Sequence, residues 1–271
     1  MQVENRAEKQ NMTADCDVTL VRNDGEKQEI HKEILREHRL ELVVNEQLLA
    51  RLVCTPDNLE NLVVGRLITE QIISDAEEIE QLYLCESGNR ARVFLKKDVR
   101  FESAEAEEPT CCTDNQVFLQ PEGNTAGSGN WGQVSSEQLS LAVWKKEWIY
   151  SIVRTFTEDS KLHRSTGGTH SCLLAVEDQV LYVAEDLGRH NAMDKAIGYA
   201  AMQGLDRDKC ILFTTGRVPT DMVRKAVAAR IPVLVSKAVP TAEAVEMARV
   251  NGMTLICRAW PDSVEVYAGE A

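Results

Sequence analysis

The chain opens on short stretches in which apolar and polar residues alternate. DVTLVR and LELVVN follow a period of two, as half-buried strands do, and LLARLVC reads as a further strand closed by Thr55-Pro56. From Asp57 to Ile73 the period changes. Leu59, Leu62, Val63, Leu67, Ile68 and Ile72 recur at helical spacing, with Asp57 or Asn58 as the cap. IEQLYLC and ARVFLK predict a hairpin turning at Ser87-Gly88-Asn89. Between Glu102 and Gly132 the periodicity is lost: an acidic run, ESAEAEE, leads to PTCCTDN and then to PEGNTAGSGNWG. Aperiodic segments of that length are usually functional or disordered. Ser135-Ser136-Glu137-Gln138 then reads as a capping box, opening a helix through Leu139, Val143, Trp144, Trp148, Ile149 and Ile152. SCLLAVED, VLYVAED, CILFTT, PVLVSK, MTLIC and VEVYAG are strand-like, and helices are expected over His190–Gln203, PTDMVRKAVAAR and TAEAVEMARV. This alternation predicts an α/β protein with a parallel or mixed sheet covered by helices on both faces. It divides into an N-terminal α+β region (1–108), a cysteine-bearing loop (109–134) and an α/β domain (135–271).

A net charge of -13 argues against nucleic acid and against anionic membranes as partners, since both demand a basic surface. No apolar run approaches the roughly 18 residues of a membrane span. The start, MQVENRAEKQNMTADCD, lacks the apolar run of a secretory signal, so a cytoplasmic location with reduced thiols is expected. Of eight cysteines, Cys54, Cys85, Cys210 and Cys257 stand in apolar runs and read as small buried hydrophobes. Cys111-Cys112 differ, lying in a polar, turn-rich stretch.

Three segments have the composition of anion-holding loops at strand ends. In Arg164-Ser165-Thr166-Gly167-Gly168-Thr169-His170 the paired glycines let N–H groups turn toward an anion. Glu185-Asp186-Leu187-Gly188-Arg189-His190-Asn191 and Thr214-Thr215-Gly216-Arg217-Val218-Pro219-Thr220 each set a Gly-Arg pair between strand and helix, uniting close approach, a fork of donors and a helix N-terminus. Together they indicate a phosphate-bearing ligand, though neither a Walker loop nor a G-x-G-x-x-G fingerprint is present. Asp186 reads as a contact for a ribose or guanine edge, or as a helix cap. His170 and His190 are open between proton shuttle, ligand contact and structural roles. Asp194-Lys195 is expected on the helix surface or locally paired. For Cys111 and Cys112 three chemistries fit: a thiolate that visits two sites as a sulfur carrier, a vicinal disulfide sensing redox state, or a metal site completed by histidine.

Thr166-Gly-Gly-Thr-His170, Glu185-Asp-Leu-Gly-Arg-His-Asn-Ala-Met-Asp-Lys195, Thr215-Gly-Arg217, Pro232-Val-Leu-Val-Ser236 and Pro240-Thr241-Ala242 together resemble the formate dehydrogenase accessory sulfurtransferase family, FdhD. Pro56-Asp-Asn-Leu-Glu-Asn-Leu, Gly65 and Glu70-Gln-Ile-Ile73 extend the similarity to roughly residues 39–267. The resemblance implies a cytidine-deaminase-like three-layer sandwich and a homodimer. It implies sulfur transfer, through a cysteine persulfide, from a cysteine desulfurase to the bis-guanylyl molybdenum cofactor (molybdenum bis(molybdopterin guanine dinucleotide)) that formate dehydrogenase receives. A cofactor-binding chaperone that transfers no sulfur is the alternative. The family's persulfide cysteine falls on Cys112, or on Cys111 in the neighbouring register, and its second thiol on Asn115. The implied cofactor site takes in Thr166, Gly167, Gly168, His170, Asp186, Gly188, Arg189, His190, Asn191, Gly216 and Arg217. A C-terminal segment, Arg258-Ala259-Trp260-Pro261-Asp262-Ser263, joins it. Zinc deaminases need H-x-E and a later P-C-x-x-C. His31-Lys32-Glu33 meets only the first, so no zinc of its own is expected.

Overall fold

The computed structural model describes residues 1–103, 115–122, 139 and 143–270. Cys111, Cys112 and the capping box at Ser135–Gln138 lie outside the described residues.

Five strands open the chain: β1 (Gln2–Asn5), β2 (Thr13–Val21), β3 (Lys27–Leu35), β4 (His38–Val44) and β5 (Gln47–Cys54). After helix α1 (Leu59–Thr69) come β6 (Ile79–Leu84), β7 (Arg90–Leu95), β8 (Phe101–Ser103), β9 (Gln116–Val117) and β10 (Leu119–Pro121). The first sheet has the order β1-β6-β7-β4-β5-β9. Its alternation is clean: Leu40, Leu42 and Val44 of β4 are buried while Arg39 beside them is exposed. β2 and β3 pair as a separate two-stranded ribbon. The stretch expected to lack structure between Glu102 and Gly132 therefore holds β9, which pairs with β5, and β10, which pairs with β8.

Helix α2 (Lys146–Asp159) begins later than the capping box suggested, because Val143 to Lys145 are not helical. A short α3 (Lys161–Thr166) leads into the second sheet, made of β11 (His170–Val176), β12 (Gln179–Asp186), β13 (Cys210–Thr214), β14 (Val233–Ser236), β15 (Thr254–Cys257) and β16 (Glu265–Ala268). Helices α4 (Arg189–Met202), α5 (Thr220–Ala228) and α6 (Ala242–Val250) connect these strands. The order is β12-β11-β13-β14-β15-β16, with β13, β14 and β15 mutually parallel and the rest antiparallel. Ile149, Ile152, Val153 and Phe156 of α2 cover one face through Leu173, Ile211, Phe213 and Val235. The opposite face (Cys172, Leu174, Leu212, Leu234, Leu255) shares one continuous core with α4, α5, α6, α1 and the inner side of the first sheet.

Helix α1 is buried nearly all round, from Leu59 to Thr69 with only Glu60 partly open. Asn58 holds its cap position in a left-handed conformation (φ 49°) and makes no side-chain cap; its amide bonds Asp57 Oδ2 at 2.8 Å instead. The described helices include none long and apolar enough to cross a membrane.

Candidate functional site at the strand ends of the second sheet

Strand β12 ends at Asp186, whose carboxylate is fully buried. One oxygen accepts the Gly188 N–H (3.1 Å) and the Asn191 amide (3.0 Å); the other takes the Thr55 N–H (3.1 Å) and the Lys195 ammonium (2.8 Å). Asp186 and Asn191 thus face the interior and shape the β12–α4 turn without reaching a solvent-borne ligand. Lys195, expected on the helix surface or locally paired, is also fully buried and bonds Thr55 Oγ1 (2.7 Å) and Asp57 Oδ1 (2.8 Å) from a distant segment. Burial lowers the lysine pKa, but Asp186 and Asp57 outweigh it and the net shift is upward. Asp194 is likewise interior, held by Lys225 (2.9 Å) and Thr69 (2.9 Å).

Arg189 begins α4 with its side chain passing under Gly216. A Cβ on Gly216 would lie 2.9 Å from Arg189 Cβ, so the glycine makes room for the arginine. His190 is buried too, its Nε2 2.8 Å from Asp221 Oδ2 in the first turn of α5. Arg217 is exposed.

The remaining strand ends are laced together. Thr215 N–H donates to Ser171 O (3.1 Å), Lys237 N–H to Thr214 O (3.0 Å), and Ser236 Oγ to Gly216 O (2.7 Å). Ala259 N–H reaches Ser236 O and Arg258 N–H reaches Ala238 O, both at 3.0 Å. The C-terminal segment therefore joins the same edge as Gly216. Ala259 is buried, whereas Arg258, Trp260, Pro261, Asp262 and Ser263 are exposed. Lys237 lies over the rings of Phe156 (5.4 Å) and Trp260 (5.1 Å). Arg217, Lys237 and Arg258 follow strand ends on this edge, the Arg258 guanidinium paired with Glu265 Oε1 at 3.0 Å.

The Thr166-Gly-Gly turn departs from the expected anion nest. Gly167, left-handed at φ 67°, closes α3 by donating to His163 O at 2.7 Å. The Gly168 N–H donates to Thr166 Oγ1 (3.2 Å). Helix carbonyls, and not free N–H groups, dominate there. His170 is half-buried at the start of β11. Burial and then the Arg189 charge push its pKa below 6.5, against an upward pull from Asp186. A histidine with a lowered folded pKa contributes stability in full above its unfolded value and loses it as pH falls below. An NMR titration should place the His170 midpoint below 6.5, and Arg189→Met should raise it.

Buried thiols make poor nucleophiles. Burial raises Cys54 and Cys172, and takes Cys210 to about 11 and Cys257 to about 12. Cys85, expected inside, is only half-buried; burial opposes ionisation there, but hydrogen bonding to Ser87 and nearby backbone brings its pKa below the usual value. The sequence does not single out Asp221 or Lys237, and it shows Thr55, Asp57 and Ser236 only as a strand end, a helix cap and part of a motif. Lys195 stands four places after Asn191 on the same helical face.

Two sheets sharing one helical interior, with loops gathered at the strand ends of the second, define a mixed α/β protein with a strand-end site. A model of the FdhD/NarQ family matches residues 35–271, and the chain belongs to that family. It is 30% identical over 251 residues to the sulfur carrier protein FdhD of Listeria monocytogenes serotype 4b (strain F2365), covering 90% of this chain and 93% of that one. Identity to the sulfur carrier protein FdhD of Bacillus subtilis (strain 168) is also 30% over 251 residues, covering 90% and 91%. A solved Desulfotalea psychrophila structure, described as a formate dehydrogenase accessory protein, shares the fold with a TM-score of 0.77 at 23% identity, over 96% of this chain and 98% of that one. The family resemblance read from the residues is borne out.

Proposed function

We propose that this protein is a cytoplasmic sulfur carrier that serves formate dehydrogenase, with Cys112 bearing the persulfide. Support comes from the family and from relatives named as sulfur carriers across nearly their whole length. The observation that carries the site assignment is that Arg217, Lys237 and Arg258 each follow a strand end on one edge of the second sheet, next to Gly216, which packs on the buried Arg189 at the start of α4. An anionic acceptor suits that edge, and the bis-guanylyl molybdenum cofactor is the acceptor substrate in this reading. Cys112 precedes Asn115 by three residues, which chain geometry limits to about 11 Å, and Asn115 is bonded to Asn191 in the first turn of α4. In the loading step the Cys112 thiolate attacks the outer sulfur of a desulfurase persulfide. A new S–S bond forms, the donor's breaks, and the donor leaves as a thiolate.

We further infer a homodimer and a cytidine-deaminase-like sandwich for the second sheet with its helices. The mixed order β12-β11-β13-β14-β15-β16, helix-covered on both faces, supports the latter.

The test is mass spectrometry after incubation with a cysteine desulfurase and cysteine. The peptide carrying Cys112 should gain one sulfur atom, and Cys112→Ala should lose both that adduct and formate dehydrogenase maturation. No adduct under donor excess would leave only a cofactor-binding chaperone. Full maturation by a Cys111/Cys112 double alanine variant would end the carrier reading.

A further inference from the structure

The first sheet turns one face to the core and the other away from it. On the outer face, Arg39 of β4 stands beside Val53 of β5, and Glu41 beside Arg51. Across the next strand, β7, Arg90 pairs with Glu41 and Arg92 with Val43. Arg39, Arg51, Arg90 and Arg92 are all exposed. Two carboxylates are shared among them. Glu41 accepts from Arg51 (3.2 Å) and Arg90 (2.7 Å), and Glu46 accepts from Arg92 (2.6 Å). Arg39 has no carboxylate partner among the described residues. Arg51 and Arg92 also lie over rings, 5.4 Å from the centre of Phe118 and 5.9 Å from that of Phe94. A groove of about 320 Å³ opens here, lined by Arg39, Glu41, Arg51, Val53 and Gln116. It lies where β9 ends its pairing with β5, at Arg51–Gln116.

The local charge is the reverse of the chain's. Acidic residues outnumber basic ones by 43 to 30 overall, yet here four guanidiniums meet two carboxylates. Every cation in the set is arginine. Its flat fork pairs with a carboxylate through two bonds, and when stacked on a ring it keeps its donor edge free. Arginine is enriched, and lysine depleted, where proteins meet. We propose that this face of the first sheet docks an acidic segment of a partner protein, whose carboxylates reach Arg39 and Arg51 in the groove. A nucleic acid fits the charge pattern less well. A long polyphosphate also meets the acidic remainder of the molecule, whereas a short carboxylate segment is screened from it beyond about 8 Å. The face belongs to the first sheet and not to the strand-end edge of the second, so the proposal stands apart from the carrier reading.

The test is fluorescence anisotropy with the full-length protein at physiological ionic strength, using labelled octaglutamate and, separately, labelled single-stranded octathymidylate. Octaglutamate should bind. Arg39→Gln combined with Arg51→Gln should weaken it about tenfold or more, as loss of a charge-assisted hydrogen bond does. Lys27→Gln combined with Lys209→Gln takes the same charge from two exposed positions outside the face and should change binding less than about twofold. Glu41→Gln removes the charge that competes for Arg51 and Arg90, and should tighten binding about two- to fivefold. Loss of folding does not tighten binding, so the opposite signs of the Glu41 and arginine variants separate docking from stability. The proposal is overturned if octaglutamate does not bind, if the lysine pair weakens it as much as the arginine pair, or if Glu41→Gln fails to tighten it. It is also overturned if octathymidylate binds as tightly and is weakened by the same two arginine substitutions.

Discussion

Replacing Gly65 with alanine should destabilise the fold by about 3 kcal/mol or more, lowering the melting temperature by roughly 6–12 °C. Two effects oppose each other at this position. Alanine is the better helix former by about 1 kcal/mol, and in an exposed helix it would stabilise. Gly65, however, lies where α1 crosses α4 with their backbones in contact. A Cβ built on it would stand 1.7 Å from Asp194 O and 2.9 Å from Gly198 N. A Cβ on Gly198 would meet Asn61 O at 1.9 Å, so the two glycines face each other across one crossing. The obstacle is main chain and cannot swing aside. The helices must separate by more than an ångström, opening a core that runs through both sheets. Separation would also disturb Asp194, whose carboxylate is held by Lys225 and Thr69 across the same junction. Thermal unfolding followed by circular dichroism measures the effect; a rise in melting temperature would mean that the helices are free to move apart.

That crossing marks where sequence patterns stop being informative. The second sheet was legible because its strands are short apolar runs bounded by turns, and α4, α5 and α6 because their apolar residues keep helical spacing. β3 was not: KQEIHKEIL buries little and is a strand through pairing with β2. The late start of α2 shows that a capping box is a local signal with no power over residues several turns further along the chain. In the site, the Gly-Arg turns were readable because glycine and arginine at a strand end are chemically distinctive. The paired glycines at 167 and 168 misled, since the same φ freedom that builds an anion nest also ends a helix. A charged helical residue such as Lys195 normally reads as surface-lying or locally paired. On a helix covered on all sides that rule fails, and only partners from distant segments, Asp57 and Asp186, make the burial tolerable. Thr55, Asp57, Asn115 and Asp221 are far apart in the chain or on separate elements, and tertiary proximity of that kind leaves no periodic trace.

Lys195→Met should be at least as damaging, at about 3–5 kcal/mol, although methionine matches the lysine in length and suits a buried position. The loss comes from the charge left behind. Asp186 has no access to water, and three N–H donors, from Thr55, Gly188 and Asn191, hold it in place. Without the ammonium its charge is buried with dipoles alone for company. Asp186→Asn is no remedy, because it would turn an amide N–H toward a site furnished with donors. The pH dependence comes from the raised lysine pKa. A lysine of this kind contributes stability in full below its unfolded value near 10.4 and loses it only as pH rises through the higher folded value. The stability difference between wild type and Lys195→Met, measured by urea unfolding, should therefore be constant from about pH 6 to about pH 9. A difference that shrinks steadily with rising pH across that window would mean that Lys195 is not held as a cation, and the buried triad would have to be redrawn.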